Sequence, residues 1–247
     1  MNGPDLEVHS LADRPDLLDR GWEVDGGWPA FMLEDPVAAP RYVPAMRLYP
    51  DLHFVGLVDD RPVARVHAVP IAWPGADSLP DRGWDWALGD AVDSPMQDRA
   101  AVSLIEIRVD LSMRGLGLSH RLVDVVRRRL AAHGTRDLVG PVRPTGKGAE
   151  PRTAMAEYAR RTRPDGLPVD PWLRVHVRAG GRIVGVAPLS MVIPGTLEQW
   201  RAWTGQPFDR DGLVDVDGAL APVLVDTTAG HAVYVEPNVW VHHDLRP

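Results

Sequence analysis

The sequence contains no cysteine among its 247 residues. Disulfide bonds, thiolate ligands for a metal and a cysteine nucleophile are therefore all excluded. No apolar run approaches the length of a membrane-spanning helix, and residues 1–16 show neither the basic start nor the apolar centre of a secretory signal. We therefore expect a cytoplasmic protein that does not bind a membrane.

Clustered positive charge is also lacking. The chain carries 27 Lys and Arg against 34 Asp and Glu, a net charge of −7. Because contact with nucleic-acid phosphates needs clustered Lys and Arg, we expect no nucleic-acid partner. The neighbours His242 and His243 would point to opposite faces of a strand, so they are poorly placed to chelate one ion, and we predict no metal site.

Two common catalytic motifs are missing as well. There is no Gly-x-Ser-x-Gly nucleophile elbow. The segment Thr145-Gly146-Lys147-Gly148 lacks the preceding glycine spacing and the Ser or Thr of a nucleotide-binding P-loop.

The most informative stretch runs from residue 101 to residue 138. Residues 102–109 alternate apolar and polar side chains and predict a β-strand. Residues 114–119 form a short glycine-containing turn, and apolar residues then recur at helical spacing until His133-Gly134 ends the helix. A strand, a glycine turn and a helix in this order present free backbone N–H groups and a positive helix end to an anion.

This stretch resembles the cofactor-binding signature of the GNAT superfamily, the acyl-CoA-dependent N-acyltransferases. The signature is Arg or Gln, two residues, Gly, one residue, then Gly or Ala, and here it reads Arg114-Gly115-Leu116-Gly117-Leu118-Ser119. Ser119 departs from the pattern because its hydroxyl is extra. The resemblance is best over residues 102–142 and weaker over residues 171–193.

The resemblance implies an α+β (mixed α/β) fold. Its centre is a GNAT-like twisted sheet, mixed but mostly antiparallel, with one splayed pair of strands and flanking helices. We predict that residues 1–195 form the acyltransferase domain. Residues 196–247 are predicted to add a C-terminal helix and β-hairpin extension packed on the same domain.

The resemblance also implies how acetyl-CoA, or another acyl-CoA, binds as co-substrate. Backbone N–H groups of the turn would hold the pyrophosphate, since glycine lets a phosphate approach the backbone closely. The backbone of the strand would hold the pantetheine arm. The predicted cofactor-binding residues are Ile107, Arg108, Val109, Arg114, Gly115, Leu116, Gly117, Leu118 and Ser119.

Two residues are candidates for proton transfer. Glu106 occupies a position where several family members place a carboxylate base, although an ion pair with Arg108 or another arginine is an equal alternative. Members often use a tyrosine acid before a Gly-Phe pair, and that place is held here by His176, ahead of Gly180-Gly181. An imidazole can protonate a thiolate or relay a proton, but a single histidine is also commonly a core or surface residue.

These features predict an acyl-CoA-dependent acyltransferase that moves an acetyl group to an amine of a small molecule or peptide by direct attack. The alternative is a non-catalytic protein of the same fold that binds an acyl-CoA or a partner as a sensor or scaffold. The missing tyrosine and the glycine in place of phenylalanine favour that alternative. Transfer to a hydroxyl, transfer of a longer acyl group and a homodimer are further possibilities.

Overall fold

The computed structural model describes residues 4–24, 26–113 and 115–246. The strands are β1 (Glu7–Ser10), β2 (His53–Val58), β3 (Arg61–Pro70), β4 (Ala101–Val109), β5 (Asp137–Val142), β6 (Arg182–Thr196), β7 (Gly212–Val214), β8 (Val223–Asp226) and β9 (His231–Asp244). The helices are α1 (Leu17–Arg20), α2 (Ala38–Leu48), α3 (Gly83–Asp93), α4 (Leu118–Ala132), α5 (Met155–Ala159), α6 (Pro171–Arg178) and α7 (Leu197–Thr204).

The strands form one nine-stranded sheet in the order β1-β2-β3-β4-β5-β9-β8-β7, and β6 also pairs with β9. Only the β4–β5 pair is parallel among the pairs of the described residues. The predicted α+β fold with a mixed, mostly antiparallel sheet is therefore confirmed.

The parallel pair β4–β5 opens along its length. Residues 101–103 pair with residues 137–139, and no pairing continues beyond them although both strands run on. On the other edge of β4, His67 pairs with Glu106 and Ala68 pairs with Leu104, which leaves Ile105 as a bulge. The predicted splayed pair is thus present, with a kink in the same strand.

β9 lies inside the sheet rather than at its edge. It pairs with β5, β6 and β8, all antiparallel. The division of the chain at residue 195 stays a prediction, but a strand of the predicted extension completes the sheet of the predicted first domain. β9 and β8 form the hairpin expected near the C-terminus.

Pro237 interrupts the pairing of β9 with β6. The register shifts there, since Ala187 faces Asn238 while Met191 faces Glu236. A proline has no N–H to donate to the ladder, so the facing strand bulges at this point. The bulge carries Ser190, whose hydroxyl donates to Oδ1 of Asn238 at 2.5 Å and accepts from the backbone N–H of Trp84 at 2.9 Å.

Two helix pairs support the sheet: α2 contacts α3, and α4 contacts α6. α6 begins at Pro171, because Asp170 accepts from the backbone N–H groups of Trp172 and Leu173 and proline suits the first helical position. The other oxygen of Asp170 accepts from the N–H of Gly146, which ties α6 to the loop after β5. No helix of the described residues is both long and apolar enough to cross a bilayer.

Candidate functional site

A cavity of about 560 Å³ opens where β4 and β5 part. We call one wall the α4 side, after the helix pair α4–α6 that contributes to it; it consists of Ile107, Val109, Ser119, Trp172 and His176. We call the other wall the Trp28 side; it consists of Trp28, Trp84, Glu106, Arg108, Arg143, Glu236 and Asn238. The volume is in the range of small-molecule sites in proteins.

The turn before α4 has the backbone conformation that the sequence suggested. Gly115 and Gly117 have φ values of +80° and +73°, a region that glycine enters without strain. Gly117 caps α4 with no side-chain hydrogen bond, and the first turn of the helix carries no acidic residue. The first N–H groups of α4 therefore lack intrahelical partners and form a positive helix end.

The structure brings many of the predicted cofactor-binding residues to one place. Residues 107–109 and Ser119 line the cavity together. Gly115, Leu116 and Gly117 are exposed in the turn that leads to Ser119, and the side chain of Leu118 is buried in the core. Arg114 lies outside the described residues.

His176 lies in the α4 side and is buried. Its Nδ1 is 3.1 Å from Nε2 of His243, and its ring packs edge-on to Trp172. Nε2 of His176 has no hydrogen-bond partner among the described residues. Burial lowers the pKa of His176 to about 4, and burial together with the neighbouring His176 lowers the pKa of His243 to about 3. Both rings are therefore neutral at pH 7, and one donates to the other.

Glu106 is buried and held on every side. One carboxylate oxygen accepts from the hydroxyl of Tyr42 at 2.7 Å and from Nε of Arg65 at 2.7 Å. The other accepts from the indole N–H of Trp28 at 3.1 Å and from Nη2 of Arg65 at 3.2 Å, and it lies 3.1 Å from Nε of Arg108.

These contacts decide the charge of Glu106. Burial alone would raise its pKa, but His67, Arg65 and Arg108 together lower the pKa to about 2. Burial lowers the pKa of His67 to about 4, so His67 is neutral at pH 7 and the two guanidinium groups carry the effect. Glu106 therefore forms the ion pairs with arginine, here Arg65 and Arg108, that were the alternative to a base role. The base role stays a prediction, and a carboxylate with so low a pKa is a weak acceptor for an amine proton.

A second ionic group lies on the Trp28 side. Nε of Arg143 donates to the two carboxylate oxygens of Glu236 at 3.1 and 3.0 Å. Glu236 also accepts from the hydroxyl of Tyr234 at 2.9 Å and from the side-chain amide of Asn238 at 3.0 Å. The guanidinium of Arg143 sits 5.6 Å from the ring centroid of Trp28, which links this group to the Glu106 group.

Sequence reasoning missed most of the Trp28 side. Glu236 and Asn238 belong to an unusual polar and aromatic run around Pro237, and this run was the one available signal. Trp28 lies in an irregular glycine- and proline-rich segment, where an aromatic residue resembles any core side chain. Nothing local marks Arg143, which follows a short strand. Among the described residues no cluster of three or more His, Asp or Glu is placed to hold a metal ion.

Comparison with known proteins places the chain in a family. No family model matches it. A curated relative, arginine N-acetyltransferase avaD of Aspergillus versicolor, is 30% identical over 276 residues, which cover 98% of this chain and 95% of the relative. The chain belongs to the GNAT superfamily. The protein is an acetyl-CoA-dependent N-acetyltransferase of a small amine.

Two solved structures share the fold over nearly the whole chain. The loading GNATL domain of CurA from Lyngbya majuscula has a TM-score of 0.60 at 18% identity, covering 98% of this chain and 97% of that domain. The GphF GNAT-like decarboxylase, in complex with isobutyryl-CoA, has a TM-score of 0.59 at 20% identity, covering 98% and 100%. At these identities the likeness concerns the fold of this GNAT protein.

Proposed function

We propose that this GNAT protein transfers the acetyl group of acetyl-CoA to free arginine. The observation that carries the proposal is the cavity between the parted strands β4 and β5, which has room for a small molecule and is lined on one side by charged and polar side chains. Arginine is suggested by the full-length relative, which is named for arginine N-acetylation.

The donor would lie along the α4 side. The exposed turn of residues 115–119 offers backbone N–H groups and the positive end of α4 to the pyrophosphate. The pantetheine arm would follow the backbone of residues 107–109, whose partner strand β5 has moved away. A backbone N–H of Ile107 or Arg108 would face the thioester oxygen, where negative charge grows during attack.

The acceptor would lie against the Trp28 side with its α-amino group as the nucleophile, because a guanidinium stays protonated near neutral pH. The neutral amine attacks the thioester carbon, a nitrogen–carbon bond forms and the carbon–sulfur bond breaks. The amine loses one proton and the departing thiolate gains one. Holding both reactants in one cavity supplies much of the lowering of the barrier.

His176 is the proposed donor of the proton to the thiolate. Since its pKa is about 4, it acts as a neutral N–H donor and not as an imidazolium. The hydrogen bond between Nδ1 of His176 and Nε2 of His243, at 3.1 Å, holds the ring of His176 in position. The proton that the amine releases replaces the one that His176 gives to the thiolate, so no proton is gained or lost overall. Glu106, by contrast, is proposed to hold Tyr42, Trp28 and two arginines in position at the wall of the cavity.

The test is an assay of purified protein with acetyl-CoA and arginine. Thiol release is followed with a chromogenic thiol reagent, and the product is identified by mass spectrometry. Equal amounts of free CoA and acetylated arginine are expected. A reaction without acceptor measures hydrolysis of the thioester. Thiol release with other small amines but not with arginine would refute the acceptor, and no transfer to any amine would refute the whole proposal.

A further inference from the structure

Arg143 is fixed on the Trp28 side by three contacts. Its Nε donates to both oxygens of Glu236, and its Nη2 donates to the backbone carbonyl of Gly218. The close approach of this loop is possible because residue 218 is glycine: a Cβ there would come within 2.7 Å of Pro29. The guanidinium is therefore held in a single orientation before any ligand binds.

One edge of this guanidinium remains open. Its Nη1 has no hydrogen-bond partner among the described residues, and Arg143 lines the cavity with 24% of its side chain exposed. A guanidinium is charged at every pH at which the protein is folded. Arg143 is therefore a fixed cation that lines the cavity, and Nη1 is the donor that its hydrogen bonds leave unused.

The carboxylates on the same wall, unlike the guanidinium of Arg143, already have their hydrogen-bonding positions occupied. Glu236 is completely buried and accepts from Arg143, Tyr234 and Asn238. Glu106 is ringed by Tyr42, Trp28 and two arginines. Arg143 therefore has a hydrogen-bond donor to offer a ligand, whereas Glu236 and Glu106 are occupied by partners within the protein. This wall therefore suits an anionic group of the acceptor.

We propose that Nη1 of Arg143 binds the α-carboxylate of the amino-acid acceptor. This inference rests on the proposed function. Because the α-carboxylate and the α-amino group share one carbon, binding the first positions the second for attack on the thioester. The protein would then select free amino acids and disfavour acceptors in which the carboxylate is amidated.

The decisive comparison is between arginine and argininamide, which differ only in that carboxylate. Hydrogen bonds between charged groups are strong enough that kcat/KM of the wild-type protein should be about 10- to 100-fold higher for arginine. Equal kcat/KM for the two acceptors would overturn the inference and leave arginine acetylation standing. No acetylation of either acceptor would overturn the proposed function and the inference together.

Variants show whether Arg143 is responsible. Loss of Arg143 alone would leave the charge of Glu236 buried and unpaired, which destabilises a fold, so the test uses the double variant Arg143→Gln/Glu236→Gln. We expect its kcat/KM for arginine to fall much further than its kcat/KM for argininamide, so that the ratio falls to about one. A role confined to structure would lower both activities equally and keep the ratio, and that outcome would overturn the inference.

Two single variants complete the experiment. Glu236→Gln keeps the cation and should keep the preference for arginine. Arg143→Lys keeps the positive charge but loses the planar guanidinium with its several N–H donors. The preference for arginine over argininamide should therefore fall without vanishing. If the double variant is inactive on both acceptors, the ratio measured for Arg143→Lys decides: a ratio unchanged from wild type would overturn the inference. Arg41→Gln, which breaks an arginine–aspartate pair outside the cavity, is the matched control.

Discussion

The two walls of the cavity present different chemical groups: mainly backbone on the α4 side and charged or polar side chains on the Trp28 side. The α4 side offers mainly backbone, from consecutive residues of β4 and the turn that follows, together with one histidine. The Trp28 side offers side chains from segments that are far apart in the chain, joined through two ionic groups centred on Glu106 and Glu236. A wall made of backbone tolerates changes of side chain, whereas a wall made of a charge network depends on each member.

The largest effect on turnover is expected on the α4 side, from His176→Gln. A proton donor supplies roughly 100- to 10,000-fold in rate, so kcat should fall by that factor with little change in KM for acetyl-CoA. Steady-state kinetics with acetyl-CoA and arginine measure both constants. His53→Gln is the matched control, because His53 is equally buried and also pairs with a histidine, His67, at 2.8 Å, but does not line the cavity. Similar losses of kcat in both variants would assign His176 a structural role.

The next largest effect is expected on the affinity for CoA, and it tests whether the backbone of the turn before α4 binds the pyrophosphate. Gly117→Asp places a carboxylate at the positive end of α4, and like charges in contact cost several kcal/mol, so affinity for CoA should fall by about a hundredfold or more. A Cβ at this position meets nothing within 4 Å, and Asp and Asn tolerate its backbone conformation better than other residues. Gly117→Asn therefore keeps the shape without the charge, and titration calorimetry with CoA compares the two. Equal affinity in both variants would remove the turn from the pyrophosphate site.

Glu106→Gln probes the Trp28 side. Removing one partner of a buried ion pair costs about 3–5 kcal/mol, so thermal unfolding should shift strongly. Turnover, assayed well below the unfolding temperature, should fall less than the ~100-fold that a general base supplies. Glu150→Gln, which breaks an exposed pair with Arg161, should shift thermal unfolding only slightly, because solvent screens an exposed ion pair. A stable Glu106→Gln protein with abolished turnover would restore the base role and reverse the contrast between the walls.

The smallest effect on activity is expected behind the Trp28 side, where Asp35, just before α2, and Asp85, in α3, are buried neighbours, each with one carboxyl oxygen that has no hydrogen-bond partner among the described residues. Burial raises the pKa of both carboxyl groups, and repulsion from Asp35 adds to the rise for Asp85, whose pKa is about 8. The folded protein therefore holds a proton that the unfolded chain releases above about pH 4. Stability should fall as pH rises from there toward the raised pKa, by about 1.4 kcal/mol per pH unit for one proton.

Asp85→Asn removes this titration while keeping the shape of the side chain. Its free energy of unfolding should vary less between pH 5 and pH 8 than that of the wild type, as measured by urea denaturation at each pH. Identical pH profiles for the two proteins would show that the pair does not bind the extra proton.

The same contrast explains how much could be predicted from the sequence. The strand, turn and helix of the α4 side are consecutive, so the periodicity of residues 102–109 and the glycines at 115 and 117 indicated them directly. The position of the bulge at Ile105 could not be predicted, because it depends on pairing with β3. His176 could be selected only through the resemblance to a family, since its burial and its contact with His243 arise from the packing of α6 on β9.

The Trp28 side could not be assembled from the sequence for a physical reason. Its members are residues 28, 84, 106, 108, 143, 236 and 238, and only the fold brings them together. The charge of Glu106 depends on Arg65, 41 residues away in the chain. β9 continues through Pro237: Glu236 and Asn238 pair with β6, and residues 239–242 pair with both β5 and β6.

The place of β9 has a consequence for how the protein is made. Since β9 follows every other strand in the chain, β5 and β6 leave the ribosome with unpaired edges that only residues 231–244 can join. Glu236, Asn238 and His243 arrive with that strand. A nascent chain therefore has neither a complete sheet nor a complete cavity until residues 231–244 have been made and have joined β5 and β6.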